Sequence, residues 1–87
     1  MTWEEAILKS YESLGGSGLN PAIYEKIKDY ISLSEDQLAP TVYGRRPAYV
    51  HEVRSYISNL VQSGYLGQVA RGHYRLTEEG KARIRKD

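Results

Sequence analysis

Eighty-seven residues admit one domain and exclude two, because a chain this short buries only about 60–65% of the surface it exposes when unfolded. With 40% hydrophobic and 26% charged residues the composition is that of a folded domain, and the absence of cysteine excludes disulfides, thiol chemistry and cysteine-ligated zinc. The net charge is +1, and no apolar run is long enough to span a bilayer or to serve as a secretory signal, so a cytosolic protein with no membrane partner is expected.

Thr2 followed by Glu5 is a capping-box pattern, and Trp3, Ile7, Tyr11 and Leu14 then recur at helical spacing until Gly15 and Gly16, which predicts a first helix. Residues 15–18 read as a turn, after which Asn20 supplies a helix N-cap and Pro21 the first helical position. The second helix takes Ile23, Ile27, Tyr30 and Ile31 as its apolar face, with Leu19 placed to pack on Tyr24 as a hydrophobic staple. Ser34 with Gln37 repeats the capping box, but Pro40 follows so soon that residues 33–46 are expected to be mostly loop around one helical turn.

Pro47 opens the longest helix, about residues 47–63, which Gly64 is placed to close. Val50, Val53, Ile57, Leu60 and Val61 form its apolar stripe. The other side carries Ala48, His51, Glu52, Ser55, Asn59 and Gln62, with Arg54 at the border; it is polar but bears little charge, and small and amide side chains of this kind can approach base edges. Residues 65–69 and 73–77 read as two strands joined by Ala70-Arg71-Gly72. Thr77 then caps a short last helix, residues 78–85, acidic at its start and basic at its end as the helix dipole favours. The expected fold is mainly α with a small β-hairpin, in a single domain of residues 1–87.

The small net charge hides an asymmetry. Residues 1–44 hold three lysines against seven acids, net −4, whereas residues 45–87 hold nine basic residues against four acids, net +5. Every arginine lies in the second half: Arg45, Arg46, Arg54, Arg71, Arg75, Arg83 and Arg85. A planar guanidinium pairs bidentately with phosphate or a guanine edge, which a surface made basic only for solubility does not require, so these groups are expected to converge on one surface formed by the longest helix and the hairpin.

A helix pair whose second member shows a polar face, followed at once by a hairpin with arginine at its tip, is the layout of a winged helix-turn-helix. Leu60-Val61-Gln62-Ser63-Gly64-Tyr65-Leu66 and Gly72-His73-Tyr74-Arg75-Leu76-Thr77-Glu78-Glu79-Gly80 resemble a run common in winged-helix proteins. The first helix with its Gly-Gly turn, Leu33-Ser34-Glu35-Asp36-Gln37-Leu38, Gly44-Arg45-Arg46 and the wing are together similar to the N-terminal domain of Mrr-type restriction endonucleases. Gly44-Arg45-Arg46-Pro47 and Arg71-Gly72-His73-Tyr74 also resemble the HARE helix-turn-helix family. Where the Mrr-type pattern commonly has a tryptophan in the third helix, this chain has Ser55 and Tyr56.

The resemblance implies double-stranded DNA as partner, read with sensitivity to sequence or base modification, with the helix of residues 47–63 in the major groove and the wing of residues 65–77 on the backbone or a minor groove. It implies either a recognition module with a tethered nuclease domain or a small stand-alone transcription regulator. The contact residues expected are Arg45, Arg46, Tyr49, His51, Arg54 and Ser55 on and before the helix, with Arg71 and His73 on the wing. No catalytic residue, metal or cofactor is expected: Glu79-Gly80-Lys81 lacks a Pro-Asp partner on a strand, and His51 and His73 have no carboxylate at ligand spacing. The rival reading is a module for protein association or homodimerisation without DNA, with Trp3 and Tyr11 at the subunit boundary.

Overall fold

The computed structural model describes residues 2–39 and 47–85. Helix α1 (Trp3–Ser13) starts where Thr2 Oγ1 accepts the Glu5 amide proton at 3.2 Å. Strand β1 (Ser17–Leu19) runs straight into α2 (Asn20–Lys26), which tightens into a 3-10 turn at Ile27–Asp29. Helix α3 (Glu35–Leu38) is a single turn opened by Ser34 and Gln37, whose reciprocal capping bonds are 3.2 and 2.8 Å long. The long helix α4 (Ala48–Gln62) follows, then the hairpin β2 (Leu66–Ala70) and β3 (His73–Leu76), then α5 (Glu78–Arg85). The fold is mainly α with a small antiparallel sheet, as the resemblance implies.

Two expectations fail at the same place. The turn of residues 15–18 is in part a strand, because Leu76 donates its amide to the Gly16 carbonyl at 2.7 Å and Ser17 and Leu19 lie opposite Arg75 and His73. The hairpin thereby becomes a three-stranded sheet of order β1-β3-β2. Asn20 is not the N-cap of α2; extended Leu19 takes that position with no side-chain cap, and the Asn20 amide is spent on the Gly72 carbonyl at 2.9 Å.

The core forms where the apolar stripes meet. Ile7, Leu8 and Tyr11 of α1, Ile23 of α2, Ile27, and Val53, Ile57 and Leu60 of α4 are buried, and Leu66 and Leu76 bring the sheet onto them. On the far side of α4, Tyr56 stacks on Trp3 with ring centroids 5.9 Å apart and planes 5° from parallel. This contact seals one face of α4 against α1 and leaves the polar face outward. At the other end, Arg83 of α5 lies over the Tyr65 ring and 3.4 Å from the Glu4 carboxylate, tying the last helix to the first. No described helix is long and apolar enough to cross a membrane.

Thr77 joins the sheet to α5. Its hydroxyl donates to the Gly64 carbonyl at 2.5 Å and accepts the Gly80 amide proton at 3.1 Å, capping α5 while closing the end of α4, where Gly64 adopts φ 87°.

Tyr11 is fully buried, and its hydroxyl has no hydrogen-bond partner among the described residues. Burial, with smaller contributions from Tyr74 and Tyr24, pushes its pKa well above the ordinary phenol value. The folded state therefore keeps a proton that the unfolded chain releases above about pH 10, so this group contributes stability below that pH and loses it as pH rises. Tyr11→Phe is expected to leave neutral stability unchanged or raise it by up to about 1 kcal/mol, since no bond is broken. It should also flatten the alkaline limb of a stability-pH profile measured by urea unfolding.

Candidate nucleic-acid interface

A groove of about 790 Å³ opens between the start of α2, the first half of α4 and the tip of the hairpin. Among the described residues three cationic side chains reach it from three elements: Lys28 following α2, Arg54 on α4 and Arg71 at the hairpin tip. A second hollow of about 370 Å³ follows the outer side of α4 past Ser58 and Gln62.

The hairpin does not project freely. Only Arg71 and Gly72 separate its strands, and the bond from the Asn20 amide to Gly72 ties the tip to the start of α2. This tie carries Arg71 to the groove and fixes one wall.

Lys28 is set by its neighbours rather than free to swing. Its ammonium donates to Glu25 at 3.2 Å and lies 5.7 Å from the Tyr49 ring centre. The hydrogen bond to Glu25 is the main reason its pKa is raised, which keeps the ammonium charged.

Of the residues expected to meet DNA, the structure brings several onto one side. At about 100° per residue, His51, Arg54, Ser55, Ser58 and Gln62 form a continuous stripe on α4, and all are exposed. Arg54 borders the groove and Ser58 the second hollow, while His51 and Ser55 stand beside them on the outer surface. Arg71 faces the same groove from the hairpin.

Three expectations are corrected. Tyr49 is not a free surface side chain: it is 2% exposed, part of the core, and its hydroxyl donates to the Tyr24 carbonyl at 2.9 Å, although it lines the groove beside Lys28. His73 lies opposite Leu19 in the sheet, on the face away from Tyr74 and the groove, because successive strand residues point to opposite faces. The arginines do not all gather on one surface. Arg75 shares the face of His73, Arg83 is engaged by Glu4 and Tyr65, and Arg85 is exposed at the end of α5. Arg45 and Arg46 lie outside the described residues.

Sequence reasoning missed Asn20, Lys28, Gln68 and Tyr74, which also line the groove. The strand pairing that sets Gln68 opposite Tyr74 was within reach, since the hairpin itself was predicted. Nothing local signals Asn20 or Lys28, whose positions depend on how α2 packs.

Of the two residues the rival reading places at a subunit boundary, Tyr11 is taken up by the chain's own core, while Trp3 keeps part of its surface. Tyr11 is wholly buried, and Trp3 is half-buried under its stack with Tyr56. Among the described residues no three His, Asp or Glu side chains gather so as to hold a metal ion.

The sequence pattern of one protein family, described as the Mrr N-terminal domain, matches residues 2–86. No curated protein and no solved structure matches the chain significantly.

Proposed function

This chain belongs to the Mrr N-terminal domain family, and from that premise we propose that it serves as the DNA-recognition module of a restriction system. It binds double-stranded DNA with α4 in the major groove and the hairpin against the adjoining backbone or minor groove. Base reading, with any sensitivity to sequence or modification, falls to Arg54, His51, Ser55, Ser58 and Gln62 on the exposed stripe of α4. Arg71 holds a phosphate at the hairpin-tip side of the groove, and Arg45 and Arg46 add charge just ahead of Pro47 in the sequence. The module recognises, and a tethered nuclease domain cuts.

The observation that carries this reading is that Arg54 and Arg71, from a helix and from a hairpin tip distant in sequence, line one groove beside an otherwise weakly charged polar stripe. A helix serving only to meet water would alternate acids and bases along its length; this one exposes mostly hydroxyls, amides and an imidazole, with Glu52 and Arg54 as its two charged residues.

The test is the affinity for a labelled duplex as a function of salt. Each phosphate contact contributes counterion release, so affinity is expected to fall steeply as salt rises. Arg71→Ala should weaken binding across all sequences and reduce the slope of log affinity against log salt by about one. An affinity that ignores salt would contradict the proposal.

A further inference from the structure

The two hollows beside α4 share four residues, Asn20, Arg54, Gln68 and Tyr74, each from a different element. We propose that this junction is a site for one nucleobase unstacked from the bound DNA, with its face on Tyr74 and its edge on the Asn20 and Gln68 amides. The proposal rests on the duplex-binding reading and deepens it, naming a place where one base leaves the helix.

Three observations favour a base over a phosphate at this point. Among the described residues the junction supplies two carboxamides and a phenol ring against one guanidinium, the chemistry of base edges and base faces rather than of an anion cradle. Glu25 sits on the groove wall beside Lys28 and repels a phosphate brought close to it. The side-chain amide oxygen of Asn20, Oδ1, is buried without a hydrogen-bond partner among the described residues, although a buried polar atom ordinarily has one. A small turn of that amide toward the groove offers it to the amino group of a base. The Gln68 side chain is also little committed, since among the described residues it makes only a long 3.4 Å contact to the Ala70 carbonyl.

The dimensions agree. A groove of about 790 Å³ lies within the roughly 300–1,000 Å³ of sites that hold small organic ligands, so it takes a nucleotide but not a duplex. Its mouth borders the Arg54 stripe, where the proposed function places the DNA. The Asn20–Gly72 tie sets the α2 and hairpin walls at a constant spacing, as a stacking slot requires.

Extrusion costs the energy of unpairing, which a mismatch has already lost. The experiment is fluorescence anisotropy with two duplexes of one sequence, one fully paired and one with a single central A·C mismatch. The intact protein is expected to bind the mismatched duplex at least about tenfold more tightly. Gln68→Ala, at an exposed position with little bearing on folding, and Asn20→Ala should bring that ratio close to one. Tyr74→Phe, which keeps the stacking ring, should retain it.

Equal affinity of the intact protein for both duplexes would overturn the base site while leaving duplex binding in place. A mismatch preference that survives Gln68→Ala and Asn20→Ala would overturn it too, since deformability of the mismatched DNA would then be its cause. Failure to bind either duplex at low salt would remove the base site and the duplex reading together.

Discussion

Gly80→Ala is expected to be the most destabilising small substitution in the domain, at about 3 kcal/mol, and to lower Tm by roughly 10–25 °C. A Cβ built on Gly80 falls 2.2 Å from the Tyr65 carbonyl oxygen and 3.2 Å from the Leu76 side chain. That carbonyl cannot simply retreat, because it accepts the Thr77 amide proton at 3.2 Å while the Tyr65 amide is held by Leu60 at 2.9 Å. The first turn of α5 must therefore lift from the sheet, disturbing the Thr77 cap and the packing of Leu76 and Ile84. Gly67→Ala is the control: its Cβ meets nothing closer than 3.7 Å, so a change of less than about 1 kcal/mol is expected. Thermal unfolding by circular dichroism distinguishes the two. Equal Tm values would show that α5 yields without cost and that the close approach at Gly80 does not constrain the fold.

Arg54→Ala is expected to cost about 1–3 kcal/mol of duplex affinity, roughly 5- to 150-fold in Kd, with stability changed by no more than about 0.5 kcal/mol. The separation follows from its surroundings. Arg54 is exposed and has no ion pair among the described residues, so the fold loses little when it goes. Arg83 provides the opposite case. It lies over Tyr65 and against Glu4, so Arg83→Ala should lower Tm while leaving DNA affinity nearly unchanged. If both substitutions weakened DNA binding equally, general positive charge rather than the α4 stripe would govern recognition.

Periodicity made most of the fold legible. The stripe Val50, Val53, Ile57 and Leu60 is the buried face of α4, and the Ser34–Gln37 pattern marked a helix of only one turn. Strand β1 was not legible, because three residues that follow two glycines and contain a third carry no alternation and become a strand only by pairing with β3 more than fifty residues away. The same pairing displaced the cap of α2: Asn20 reads locally as a capping residue, yet its amide is drawn to Gly72 across the fold.

The candidate interface was legible where it lies on one helix and obscure where it depends on convergence. His51, Arg54 and Ser55 could be assigned to the outer side of α4 from spacing alone, whereas Tyr49 in its first turn is covered by α2, whose place the spacing does not reveal. Arginine counts misled for a related reason. Composition separates the two halves of the chain, but alternation within β3 and the pairing of Arg83 with Glu4 send arginines of one half to different sides of the molecule. Asn20 and Lys28 join the site through packing from the acidic half, where a charge-based search would not look.

Amide chemical-shift mapping during titration with a short duplex tests the central claim most directly. The largest changes are expected along residues 51–62 of α4 and residues 68–74 of the hairpin, with smaller ones at Asn20 and Lys28. Changes confined to α1 and α3 while those segments stay unmoved would contradict the proposed binding face.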